Sequence, residues 1–206
     1  AGPVLGGRVT LESQLPGLAE WARVRDWRVW QLQQAGNAQL YLNSALQAED
    51  ILEYGVPHVA IATGARWRTD GVGRCHRRPL TFLEGQSCVL TPDTLMREGA
   101  GAIKADGPVV IFDDDRFYMG SVLAELVAGA GHKTAFVTPA AVVAPWSENT
   151  LEQDRIQRRL IELDVEILPL KQLGGMSNDT LTLDCVYSGR STQIACGTLV
   201  SVTSRL

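Results

Sequence analysis

The stretch VVIFDDDRFYMGSVLAELVAGAG, residues 109 to 131, constrains this chain more than any other. Residues 109–112 are apolar throughout and fit a buried strand. After a turn, apolar residues recur at helical spacing from about 119 to 129, and Gly-Ala-Gly closes the run. KTAFVT, 133–138, reads as the next strand. Strand, helix and parallel strand make a βαβ unit, which belongs to a sheet covered on both faces. In dinucleotide-binding domains that first turn carries three glycines, for the tight bend, for backbone approach to the pyrophosphate and for helix packing. Here Gly120 takes the third position, while the first two fall on Asp115 and Phe117. The loop is also about two residues longer than the usual register.

Asp113, Asp114 and Asp115 place up to three like charges where a pyrophosphate would rest. The second strand ends Val137-Thr138-Pro139, with no acidic residue for a ribose hydroxyl and no arginine for a 2′-phosphate. Both determinants fail together, so the unit reads as a nucleotide-binding scaffold that no longer takes NAD(P). Three roles stand open for the aspartates: metal or catalytic chemistry, a site for an unusual ligand, or capping of free helix N–H groups in a solvated turn. Adjacent residues point different ways, and this favours capping.

The rest of the chain extends an α/β pattern with an antiparallel appendage. Helices are expected at 17–35, 48–55, 91–99 and 150–163, the third opening on Pro92. Strands are expected at 38–43, 58–65 and 165–170, and two facing strands close the chain around Ser188-Gly189-Arg190. Residues 66–108 look like a connection between two modules. The 206 residues suffice for one large or two small domains, and 45% hydrophobic with 20% charged residues is ordinary for a globular protein. A net charge of -4 with no basic stripe argues against nucleic acid. No apolar run reaches about 18 residues and no signal segment opens the chain, so no membrane role and a cytoplasmic location are expected. Cys75, Cys88, Cys185 and Cys196 lie far apart without a CxxC pair, so reduced thiols and no metal site are expected. His58, His76 and His132 are isolated and read as structural or solvated. The opening Ala-Gly-Pro, without Met, suggests a fragment or processed product.

Three segments together resemble the C-terminal, nucleotide-binding region of the trimethylamine dehydrogenase family, relatives of old yellow enzyme and 2,4-dienoyl-CoA reductase. They are LGGRVTLESQLPGLAEW, PHVAIATGARWRTDG and DDDRFYMGSVLAELVAGAGH. The resemblance implies a Rossmann-like pair of FAD- and NAD(P)-binding domains, one inserted in the other as in glutathione reductase, with the first βαβ unit missing. Residues 1–106 would form a partial FAD/ADP-binding domain, joined by a return strand at 195–206. Residues 107–194 would be the insert with the degenerate phosphate loop. FMN and a 4Fe-4S cluster would sit in a β/α barrel outside this chain, and ADP or FAD would bind the first domain. The implied contacts are Gly6, Gly7 and Arg8 near the pyrophosphate and Ala62, Thr63 and Gly64 beside the nucleotide; no catalytic residue is implied. The intact protein would be a homo-oligomeric amine or N-methyl-compound dehydrogenase that passes electrons to an electron-transfer flavoprotein. Trp21, Trp27 and Trp30 are read mainly as packing residues, with a docking role as the alternative. Two other functions stand beside this one: an NAD(P)H-dependent enoate or dienoyl-CoA reductase, against which the aspartate turn argues, and a non-catalytic nucleotide-binding module.

Overall fold

A computed structural model describes residues 3–206, and the chain divides into two compact units between Ala65 and Arg66. In the second unit five strands form one parallel sheet: β1 (Val89–Leu90), β2 (Val109–Asp113), β3 (Thr134–Val137), β4 (Glu166–Leu168) and β8 (Thr198–Val202). Their spatial order is β1-β8-β2-β3-β4. Every residue of β2 and β8 is buried, as expected of central strands with both faces covered. Helices α4 (Pro92–Glu98) and α5 (Met119–Gly129) pack on the sheet, and α6 (Gln153–Glu162) packs on α5. An antiparallel sheet of β5 (Lys171–Ser177), β6 (Thr180–Cys185) and β7 (Ser191–Ala195) supplies a further layer. Val110 and Phe112 of β2, Val137 of β3 and Leu199 of β8 meet Leu173, Leu181 and Leu183 of that sheet in one apolar core.

The βαβ unit, α4 with its leading Pro92, and the hairpin around Ser188-Gly189-Arg190 form where the sequence places them. The domain pair does not form. The expected return segment supplies β8, which pairs directly with β2 at the centre of the sheet, and β1 joins the same sheet from the other side of β8. One mixed architecture of a parallel and an antiparallel sheet therefore replaces two Rossmann-like domains. The second closing strand is also two strands: β7 ends at Ala195, and the chain crosses to the parallel sheet through Cys196 and Gly197. A side chain on Gly197 would start 2.0 Å from the Asp106 carbonyl oxygen, so the crossing needs glycine.

The first unit is helical, with α1 (Arg8–Glu12), α2 (Ala22–Gln34) and α3 (Ala48–Glu53), the last closed by a reciprocal Gln47–Asp50 capping box. The strands expected at 38–43 and 58–65 are absent. A parallel strand needs neighbours to accept its hydrogen bonds, and among the described residues of this unit there is no strand to do so. Helix α2 buries no residue, contrary to its expected packing role: Trp27 and Trp30 are both more than half exposed.

Replacing Leu183 by Ala removes a fully buried side chain from between the two sheets. Urea unfolding is expected to show a loss of about 2–5 kcal/mol; a loss near zero would mean the two sheets do not share a core.

Candidate functional site

In an open α/β sheet, ligands bind outside the carboxyl ends of the strands where the strand order reverses. Here the chain runs from β2 outward to β3 and β4 and returns on the other side of β2 as β8, so the reversal lies between β2 and β8. The aspartate turn follows β2 at that point, and Thr203 and Ser204 follow β8.

The crevice is filled by the chain itself. Residues 72–76 lie across it as a strap, with Gly73 against both walls. A side chain built on Gly73 would start 2.4 Å from Asp114 Oδ2 and 3.2 Å from Thr203 Cβ. The Cys75 amide donates to Asp114 Oδ2 at 2.6 Å, and Ser204 Oγ donates to the Val72 carbonyl at 2.6 Å. Arg74 Nε reaches the Asp115 carbonyl at 3.2 Å, and Cys75 Sγ donates to Gln172 Oε1 of β5 at 2.9 Å. Burial and the nearby Asp114 push the Cys75 thiol up from its ordinary pKa.

The three aspartates take separate roles, and none is solvated. Asp113 is fully buried against Gly120, whose missing side chain would start 2.7 Å from the Asp113 Cβ. The glycine at the third, helix-packing position of the motif therefore makes room for the Asp113 carboxyl group. Asp113 Oδ1 accepts the Arg116 amide at 3.1 Å. Burial, with Asp115 and Asp114 adding to it, pushes Asp113 up to about 8, so it is mainly protonated at neutral pH. Asp114 is also raised, chiefly by burial, against the opposing pull of the Cys75 amide and of Arg116, whose Nη2 lies 3.7 Å from Oδ1. Asp115 Oδ1 lies 3.9 Å from Arg205 Nη2.

The N-cap of α5 is Tyr118, whose side chain makes no capping bond, and the amides of Asp114 and Asp115 go to the Val202 carbonyl, at 2.8 and 3.1 Å. One expectation changes on this geometry. Three like charges do not guard the turn, since one carboxyl group is neutral and the other two face arginines. The place of a pyrophosphate is closed by matter, not by charge. Among the described residues no group of three or more His, Cys, Asp or Glu side chains could hold a metal ion.

The residues implied for nucleotide contact lie in the first unit. Gly6 and Gly7 have φ of 112° and 48°. Space beside Gly7 is open, but a side chain on Gly6 would start 2.3 Å from Thr10 Oγ1 and 2.6 Å from Arg25 Cδ, so Gly6 has a packing role. Arg8 Nη2 donates to the Ala65 carbonyl, which brings the 6–8 turn to the end of the 62–64 segment. Ala62, Thr63 and Gly64 are exposed, and Gly64 has φ of 84° with open space around it. An apolar pocket of about 410 Å³ in the same unit is lined by Val4, Leu5, Val29, Leu32, Leu40 and Leu42.

Sequence reasoning missed the strap. The Gly71-Val72-Gly73 run marks an unusual backbone, but the Cys75–Asp114 contact that holds the strap spans 39 residues and leaves no local trace.

The sign of the Asp113 effect on stability follows from its raised folded value. The contribution of the neutral group is fully present below the ordinary value of 3.8 and is lost as pH rises to about 8. Between those limits folding takes up close to one proton, worth about 1.4 kcal/mol per pH unit. Asp113→Asn is expected to flatten the fall in urea stability between pH 5 and 8; an unchanged slope would place the proton elsewhere.

Residues 90–201 match the family model described as the OYE-like second alpha/beta domain. That match runs through β2, β3, β4, the antiparallel sheet and most of β8 as one domain, which confirms the correction to the domain pair. The chain is similar to dimethylamine dehydrogenase of Hyphomicrobium sp. (strain x), with 37% identity over 169 residues, 79% of this chain and 22% of that protein. It also superimposes on histamine dehydrogenase from Rhizobium sp. 4-9 with a TM-score of 0.93 and 42% identity, over 100% of this chain and 31% of the other. The 6-hydroxypseudooxynicotine amine oxidase from Pseudomonas geniculata N1 gives a TM-score of 0.93 at 36% identity, over 100% of this chain and 30% of the other. The chain thus spans about a fifth to a third of the length of these relatives. With more than half of its residues inside the family match, the chain belongs to the OYE-like second alpha/beta domain family.

Proposed function

We propose that this chain is part of a larger flavin-dependent oxidoreductase that oxidises an amine or N-methylated compound. The observation that carries the reading is the likeness to histamine dehydrogenase over the whole chain, at 42% identity and a TM-score of 0.93. Dimethylamine dehydrogenase and an amine oxidase stand beside it, so three relatives are named for work on amines. FMN and a 4Fe-4S cluster are the cofactors the family resemblance implies. The described residues offer no group of three or more metal-ligating side chains for a cluster, and the resemblance puts both cofactors in a β/α barrel outside this chain. When bound, they would take electrons from the amine; no residue of this chain is assigned to that step.

The filled crevice bears on the direction of electron flow. A reductase fed by NAD(P)H needs room for a diphosphate at the end of β2, where Gly73, Cys75 and Asp114 are in contact. This supports electrons leaving to an external protein acceptor, for which an electron-transfer flavoprotein is the proposed partner. The exposed Trp21, Trp27 and Trp30 are candidates for that docking surface. An adenine nucleotide, ADP or FAD, is proposed at Gly7, Arg8 and Ala62–Gly64, where open space beside Gly7 and Gly64 permits close backbone approach. The proposed assembly is a homo-oligomer.

The test uses the full-length protein. Flavin and iron analysis is expected to find both, and bleaching of the flavin band on anaerobic addition of dimethylamine or histamine is expected without any bleaching by NADPH. Reduction by NADPH and not by amines would replace this reading with the reductase one. For the nucleotide, calorimetry with ADP is expected to show binding that Gly7→Val weakens at least tenfold, about 1.4 kcal/mol. No difference between the two proteins would remove these residues from the site.

A further inference from the structure

The strap over the β2–β8 crevice has a feature that the proposed activity does not use. His76 sits at its end, with the imidazole packed on Phe112 at a centroid distance of 6.3 Å and an interplanar angle of 44°. Its Nε2 is buried and has no hydrogen-bond partner. The charged groups that bear on the ring come from two sides: Asp114 at the end of β2 and Asp184 in β6. Arg116 stands beyond Asp114, on its other oxygen, while Arg74 and Cys75 belong to the strap itself.

We propose that the 72–76 strap is a proton-operated cover over the switch-point crevice, opened by protonation of His76. The neutral ring suits an aromatic contact. An imidazolium adds a charge and a second N–H donor, and at Nε2 the packed ring offers that donor no acceptor. Asp114 and Asp184 attract the charge through space, but burial outweighs them and holds the ring below its ordinary 6.5. The closed strap is then fully supported above about that value, and its support is lost as pH falls below it. His76 is half-buried as a residue, but its Nε2 is shut from water, so solvating a proton on that nitrogen means moving the ring together with the strap that carries it. That movement breaks the Cys75–Asp114 and Ser204–Val72 hydrogen bonds, which are the two shortest of the strap's five described bonds to residues outside it.

Asp114 acts in the opposite sense. Its raised folded value means that closure favours its protonated form, so its own titration at lower pH pulls the strap shut. The two groups are separated by substitution rather than by pH alone. Lifting the strap opens the space between Asp114 and Thr203, and with it the buried hydroxyls of Ser201 and Thr203, which have no partner in the closed form.

The experiment is amide hydrogen exchange on the full chain from pH 7.5 to 5.5, corrected for intrinsic rates, reading the Cys75 amide against the Phe112 amide in the central strand. Cys75 protection is expected to fall several-fold on acidification while Phe112 protection holds. His76→Phe, which keeps an aromatic contact and cannot take a proton, is expected to abolish the fall. A fall of the same size in the variant, no fall in the parent chain, or parallel loss at both amides would each overturn the proposal. Should the variant not fold, the parent chain still decides: the NMR titration midpoint of the His76 imidazole must coincide with that of the Cys75 exchange, and a mismatch would overturn it too.

Discussion

The Asp114 carboxylate between β2 and the strap is the interaction on which the functional end of this domain depends. It takes the Cys75 amide at 2.6 Å, stands beside Arg116 and is fully buried. A buried carboxylate costs several kcal/mol unless hydrogen bonds and an opposite charge compensate it. Here both are present, and both come from groups that would otherwise face a ligand. The strap's backbone donor, the arginine at the turn and the small Gly73 are all committed to the closed arrangement. The fold keeps the topology of a ligand-binding α/β sheet, and its own chain fills the binding crevice.

Asp113 settles the neighbouring question by a different route. Its carboxyl group lies where Gly120 leaves room, in surroundings that favour the neutral acid. A row of three identical side chains thus holds three electrical conditions: one mainly neutral, one raised by burial but set beside Arg116, and one facing Arg205. Position along the strand end sets them. Asp113 points toward the helix, Asp114 toward the strap, and Asp115 lies nearer solvent.

How much was legible in the sequence follows from how far each interaction reaches. The unit from Val109 to Val137 was readable because its period and its turn are local. The helix opening on Pro92 carried its own start signal. Residues 58–65 look like a strand for the same local reason, but an apolar run becomes one only beside strands that accept its hydrogen bonds. The adjacency of β8 and β2 joins segments almost ninety residues apart and has no periodic signature. At the site, the sequence located the aspartates and gave Asp113 the wrong protonation and all three the wrong exposure. Both depend on tertiary packing, of Gly120 against Asp113 and of the strap over Asp114. The residues implied for nucleotide contact differ in their surroundings: Gly7 and Gly64 have open space beside them, whereas Gly6 is committed to Thr10 and Arg25.

The crossing at Gly197 has an evolutionary corollary. β7 and β8 belong to different sheets, yet only Cys196 and Gly197 separate them, and the Asp106 carbonyl crowds the step. Alternation along β8 sends Leu199, Ser201 and Thr203 to one face and Val200 and Val202 to the other. Adding or deleting a single residue at the crossing would exchange those faces along the whole central strand. The hydroxyls would then face helices and the valines would face the strap. This corner should therefore be doubly restricted: related domains should keep both its length and the glycine at position 197, with Cys196 left as the freer position.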